Sequence, residues 1–110
     1  MSEITEAPFA MANLPPRLTG LPMVVWVSQR GNAPHDVRVK VCRVHGERMQ
    51  WNNTASVAVR LRPHLAAGRL PPADLAVVSD WIRLNEAVLV DYWEERIFTD
   101  ELLARLRKLP

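Results

Sequence analysis

The chain has 110 residues, 48% of them hydrophobic and 24% charged, with a formal net charge of +2. That length holds one domain with a core near the lower end of what folds unaided, and the composition excludes a disordered or collagen-like chain. No apolar run approaches the roughly 20 residues that cross a bilayer, and a single cysteine, Cys42, excludes an internal disulfide.

Charge is sorted by position. Residues 22–72 carry eight basic side chains (Arg30, Arg38, Lys40, Arg43, Arg48, Arg60, Arg62, Arg69) against Asp36 and Glu47. Residues 73–110 reverse the balance, with eight acids against five bases. Such segregation gives a positive and a negative surface, which is the mark of a binding protein more than of an enzyme.

Residues 1–21 hold Pro8, Pro15 and Pro16 and show no clean period, so a flexible arm is expected, with Leu14, Leu18 and Leu21 free to dock on a single α+β domain over 22–110. The start is acidic and lacks a secretory pattern, and with one cysteine the expected setting is the cytoplasm, with no membrane partner. Residues 23–28 are β-branched and aromatic and predict a strand. A turn follows around Gly31, Asn32 and Pro34.

Residues 35–44 alternate strictly. Val37, Val39 and Val41 point one way, and Arg38, Lys40 and Cys42 the other. Residues 49–51 predict a short strand or an irregular crossing. Residues 56–62 repeat the design, with Val57, Val59 and Leu61 inward and Ala58, Arg60 and Arg62 outward. Residues 63–71 predict a loop.

The next stretch starts a helix, with Pro71 or Pro72 in its first turn and Asp74 at the positive end of its dipole. Leu75, Val78, Ile82, Val88 or Leu89, and Trp93 fall on one stripe, flanked by Trp81. Asn85 interrupts that stripe, which leaves one helix to Glu95 or two with a break near Asn85. Thr99 is the expected N-cap of a last helix over 100–108, striped by Leu102, Leu103 and Leu106. A small antiparallel sheet of three or four strands, covered on its valine face by one long or two short helices and followed by an amphipathic helix, is an α+β plan.

The order of these elements, with Pro34, His35, Val37 and Val39, then Val57 and Val59, then a helix carrying Asn85 and Trp93, resembles the small bacterial proteins of the domain of unknown function 4160 family. The likeness covers residues 23–94. It implies a compact α+β fold and a protein paired with a small neighbour, in the manner of toxin–antitoxin modules. The family usually carries a second histidine shortly after the first. Here Arg38 or a neighbour stands there, so no histidine-pair role is carried over.

Three site candidates follow. Arg38, Lys40, Arg60 and Arg62 would form a cationic grid on the sheet face, extended by Arg30, Arg43 and Arg48. That grid suits nucleic-acid phosphates or an acidic partner, and its bland counterpart is a solvated face that resists aggregation. His35, next to Asp36 and near Arg38 and Lys40, could move a proton in a metal-independent ribonuclease, although a histidine opening a strand is more often a surface turn residue. The last helix, through Leu102, Leu103 and Leu106, could pack on its own domain, on a second copy or on a protein partner. No metal or cofactor is expected: His35, His45, His64 and Cys42 lack close-paired ligand spacing, and no glycine-rich phosphate loop is present. The leading expectation is a non-enzymatic interaction protein, with nucleic-acid binding and a ribonuclease centred on His35 as alternatives.

Overall fold

A computed structural model describes residues 10–110. Five short strands, β1 (Met11–Leu14), β2 (Val25–Ser28), β3 (Arg38–Cys42), β4 (Thr54–Ala58) and β5 (His64–Ala67), form one sheet in the order β1-β2-β3-β4-β5. Every neighbouring pair is antiparallel. A short helix α1 (Pro16–Thr19) lies between β1 and β2. The long helix α2 (Pro72–Trp93) and the short α3 (Thr99–Arg105) follow the sheet. The class is α+β, with five strands rather than the expected three or four.

The alternation in the sequence sets which face is covered. Val37, Val39, Val57 and Val59 are all buried, and so are Val25, Val27 and Val41. They share one core cluster with Val78, Trp81, Ile82, Val88, Leu89, Tyr92 and Trp93 of α2. Each fully buried valine is worth about 1.5–3 kcal/mol over an exposed one, which is enough to fix the register of short strands. A slip of one residue would turn all the valines to water.

Two strands lie where the sequence predicts none. β1 adds to the edge of β2 through Met11↔Ser28, Ala12↔Val27, Asn13↔Trp26 and Leu14↔Val25. Residues 10–21 are therefore part of the domain and not a loose arm, and Leu14 and Leu21 are core residues. The rest of the expected arm, residues 1–9, lies outside the described residues. β5 falls inside the expected loop and pairs with β4 across a register shift at Ser56 and Val57. Both strands contain alanine or asparagine in place of β-branched residues, so intrinsic preference gives no signal for them. Edge pairing to a neighbour makes them strands.

α2 is unbroken through Asn85, which is 3% exposed. Its side chain explains the interruption in the apolar stripe. Asn85 Nδ2 donates to the Trp81 carbonyl at 3.0 Å and to the Arg107 carbonyl at 2.9 Å, and Oδ1 accepts from the Arg107 amide at 2.7 Å. The amide therefore binds the backbone of the segment after α3 as a neighbouring strand would. Two residues on, the Leu109 amide donates to the Thr19 carbonyl at 2.8 Å. Gly20 has φ 81°, and a Cβ there would sit 2.8 Å from the Leu109 carbonyl oxygen. Only glycine allows this approach.

α3 is docked on its own domain. Leu102 is fully buried in the core, Leu106 is half-buried against it, and Leu103 is 46% exposed. Asp91 on α2 holds the junction by accepting from Arg96 at 3.0 Å and from Arg105 at 3.0 Å. The Arg105 bond, then that of Arg96, keeps the Asp91 carboxyl below its ordinary range despite some desolvation. Thr99 is the first residue of the helix and not its cap; its hydroxyl meets the Tyr92 hydroxyl at 2.8 Å.

Candidate functional site

The face of the sheet opposite α2 carries the other set of alternating residues. Strand pairing links Asn13, Trp26, Lys40, Ser56 and Ala67 into one row across all five strands. Directly opposed residues of antiparallel strands share a face, so this row lies on the side away from the valines. Arg38 stands two residues from Lys40, about 7 Å along the same strand and on the same side. None of the side chains in the row is fully buried.

This face is not flat. A hollow of about 270 Å³ opens on it, lined among others by Trp26, Ser28, Arg30, His35, Arg38, Lys40 and Ser56. Among the described residues its lining includes three permanent cations and no carboxylate. Among the described residues, neither Arg38 nor Lys40 has a salt-bridge partner, and Arg30 has only a long contact of 3.9 Å to Glu94. Trp26 is half-buried in the wall, and its Nε1 donates to Asn13 Oδ1 at 2.7 Å. That bond fixes the tilt of the indole ring.

The loop between β2 and β3 brings Arg30 and His35 to the hollow because it is tied to the end of α2. The Arg30 amide donates to the Trp93 carbonyl at 2.9 Å, and the Gly31 amide reaches Glu95 Oε2 at 3.4 Å. α2 has no basic residue in its last turn. Just beyond that end the Glu94 carboxylate meets two arginines from the sheet side, Arg30 at 3.9 Å and Arg60 at 3.1 Å.

Arg60 does not join the cationic face. It sits beyond the end of β4, where its Nε and Nη2 grip both oxygens of Asp36 at 2.8 and 2.9 Å, and Nη2 also donates to Glu94 at 3.1 Å. The paired hydrogen bonds raise its already high pKa, and Arg60 in turn holds the Asp36 carboxyl below the usual carboxylate range. Its charge is used inside the molecule. The sequence could not show this, because Asp36 and Glu94 are far from Arg60 along the chain.

The other expected cations scatter. Arg62 is exposed in the turn before β5. Arg43 lies beyond the far end of β3 and bonds Asn53 Oδ1 at 3.2 Å. Arg48 is exposed in the loop between β3 and β4. The hollow therefore unites Arg30, Arg38 and Lys40 with His35. Trp26, Ser28 and Ser56, which are not among the expected site residues, complete its wall. The cross-strand position of Trp26 beside Lys40 was the available signal, but it depends on a register that a single strand does not reveal.

His35 is half-buried, and its ring stacks on Trp93 with centroids 5.6 Å apart and planes at 26°. Nδ1 donates to the Asp36 carbonyl at 2.7 Å, which leaves Nε2 as the acceptor of the neutral ring. No carboxylate bonds the imidazole among the described residues, because the Asp36 side chain is taken by Arg60. The ring is held by Trp93 and the Asp36 carbonyl, and no carboxylate among the described residues stands against it to orient it or raise its basicity.

No group of three or more His, Cys, Asp and Glu side chains capable of holding a metal occurs among the described residues. No described helix is long and apolar enough to cross a membrane. Comparison with protein-family models, with curated proteins and with solved structures gives no match, so the reading of the site rests on its own residues.

Proposed function

We propose that this is a non-enzymatic binding protein whose open sheet face takes an acidic polymer, a nucleic acid. One observation carries this reading: Arg30, Arg38 and Lys40 converge on one hollow with an aromatic wall, and no acidic side chain lines it among the described residues. Phosphates attract such a cluster, and release of their counterions drives the binding. The stripe of α3 supports a partner interface less well, since Leu102 lies in the domain's own core and Leu103 alone of the three leucines is exposed.

The test is binding of a labelled nucleic acid by fluorescence anisotropy over a range of salt. Affinity should fall steeply as salt rises. Arg38→Ala with Lys40→Ala should weaken binding and lower the salt slope by roughly 1 to 2. A double variant that binds like the wild type, with the same slope, refutes the reading.

A second reading, a protein partner, is favoured by β5. Among the described residues this strand pairs with β4 alone, and its own residues carry no permanent charge to guard the open edge. Arg62 and Arg69 flank it, and Leu61 beside it is 97% exposed. An extended acidic segment of another protein would fit there as an added strand. The paired neighbour implied by the family resemblance would be such a partner. A pull-down from native lysate with and without nuclease separates the two readings. A specific partner retained after nuclease and lost in Leu61→Asp supports the second; recovery that disappears with nuclease supports the first.

A further inference from the structure

We infer that the ligand of this face is single-stranded nucleic acid, held by one base stacked on Trp26 with its flanking phosphates on Arg30, Arg38 and Lys40. The inference rests on the nucleic-acid reading above and narrows it to a strand whose bases are free.

The shape of the site carries the argument. A duplex keeps its bases stacked inside and offers phosphates along a rigid rod. A basic surface that bound only duplex would need no recess. Here the cations surround a hollow of about 270 Å³, just under the roughly 300–1,000 Å³ of common small-ligand pockets. That is room for one planar ring system and part of its sugar, not for a groove-reading contact.

The second element is Trp26. Single-strand binders combine a positive path for the backbone with aromatic platforms for bases. Trp26 lies in the row that also holds Lys40 and Ser56, so ring, cation and hydroxyl are cross-strand neighbours. The bond from Nε1 to Asn13 sets the ring before any ligand arrives. A fixed platform loses little freedom on binding, which favours affinity.

The third element is the polar lining. Ser28 and Ser56 border the hollow, and His35 stands at its rim with Nε2 not engaged by any described residue. Hydroxyls and an imidazole can meet the edge of a base without demanding one base. Trp26 is the one aromatic residue among the side chains of the five-strand row, so one stacked base is expected, with neighbouring nucleotides held through phosphates.

The experiment compares a labelled 12-nucleotide oligo-dT, the matching oligo-U and a 12-base-pair duplex by anisotropy at one low salt concentration. The single strands should bind at least tenfold more tightly than the duplex. Trp26→Leu should weaken single-strand binding by about tenfold while leaving weak, salt-sensitive binding to all three probes. Trp26→Phe should recover part of the loss. A 5-bromouridine oligonucleotide irradiated with the wild type should cross-link to the peptide that contains Trp26, which keeps the test valid if Trp26→Leu folds poorly. Equal or tighter binding of duplex, or a cross-link mapped elsewhere, overturns the inference while the broader reading stands. Failure of all three probes to bind the wild type overturns both.

Discussion

The two faces of one sheet differ in every respect that matters here, although they are built from alternate residues of the same strands. On the covered face, Val39, Val41 and Val57 are fully buried and meet the aromatic stripe of α2 in one core. On the open face, Trp26, Lys40 and Ser56 keep contact with water. The first face holds the fold and tolerates little. The second is only partly covered: Trp26 packs half-buried against the core, while Lys40 beside it stays open to a ligand. The arginines repeat the lesson on a smaller scale: Arg60 closes an internal network with Asp36 and Glu94, whereas Arg38 remains on the open side.

This contrast can be broken at its strongest point. Trp81 is fully buried on α2, and Trp81→Ala should cost about 3–5 kcal/mol by chemical denaturation, as large-to-small changes in a tight core do. For a domain of this size that removes much of the total stability. A loss below about 1 kcal/mol would mean that the covered face is not the tight core described here.

Asn85→Ala should cost less, about 2–3 kcal/mol, because it strips three hydrogen bonds and leaves the Arg107 amide and carbonyl without their partner. Hydrogen exchange should show the Arg107 amide losing protection before the sheet does. Unchanged protection there would show that the asparagine does not hold the tail.

Acid gives a smaller effect with a definite sign. Arg60 depresses the folded-state pKa of Asp36, so the associated stability is present above the unfolded value of about 4 and is lost as pH falls through the folded value. Asp91 behaves alike, held down by Arg105 and Arg96. The melting temperature of the wild type should therefore fall between pH 5 and pH 3 more than that of Asp36→Asn, by a few degrees. Parallel curves would show that the Asp36 pair adds nothing. Smallest of all, Lys40→Ala should change stability by no more than about 0.5 kcal/mol while weakening ligand binding, which sharpens the division between the faces.

Much of the covered face was legible in the sequence. Strict alternation over Val37, Val39 and Val41, and again over Val57 and Val59, needs only the period of a strand, and the stripe of α2 needs only the period of a helix. The edge strands were not legible, because Met11–Leu14 and His64–Ala67 are strands by virtue of their neighbours. The open face was legible in part. Arg38 and Lys40 follow from parity, but Arg60 has the same parity and lies outside the site. Which cation is free depends on partners brought in by the end of α2, and single-strand periodicity carries no record of them. Leu102 shows the same limit: an amphipathic stripe shows that a helix docks, not on what, and of the three surfaces it allowed the helix takes its own domain.

The grip of Asn85 on Arg107, continued by the bond from Leu109 to Thr19, joins two segments separated by nearly the whole chain. Closing so long a loop is slow in entropic terms, so this contact should form late in folding and open early in unfolding. The amides of Arg107 and Leu109 would then become exchangeable as one unit, ahead of the valine strands. The molecule would come undone first at this seam, with β1 and α1 loosened on one side and the tail on the other, while the central hairpins stay closed.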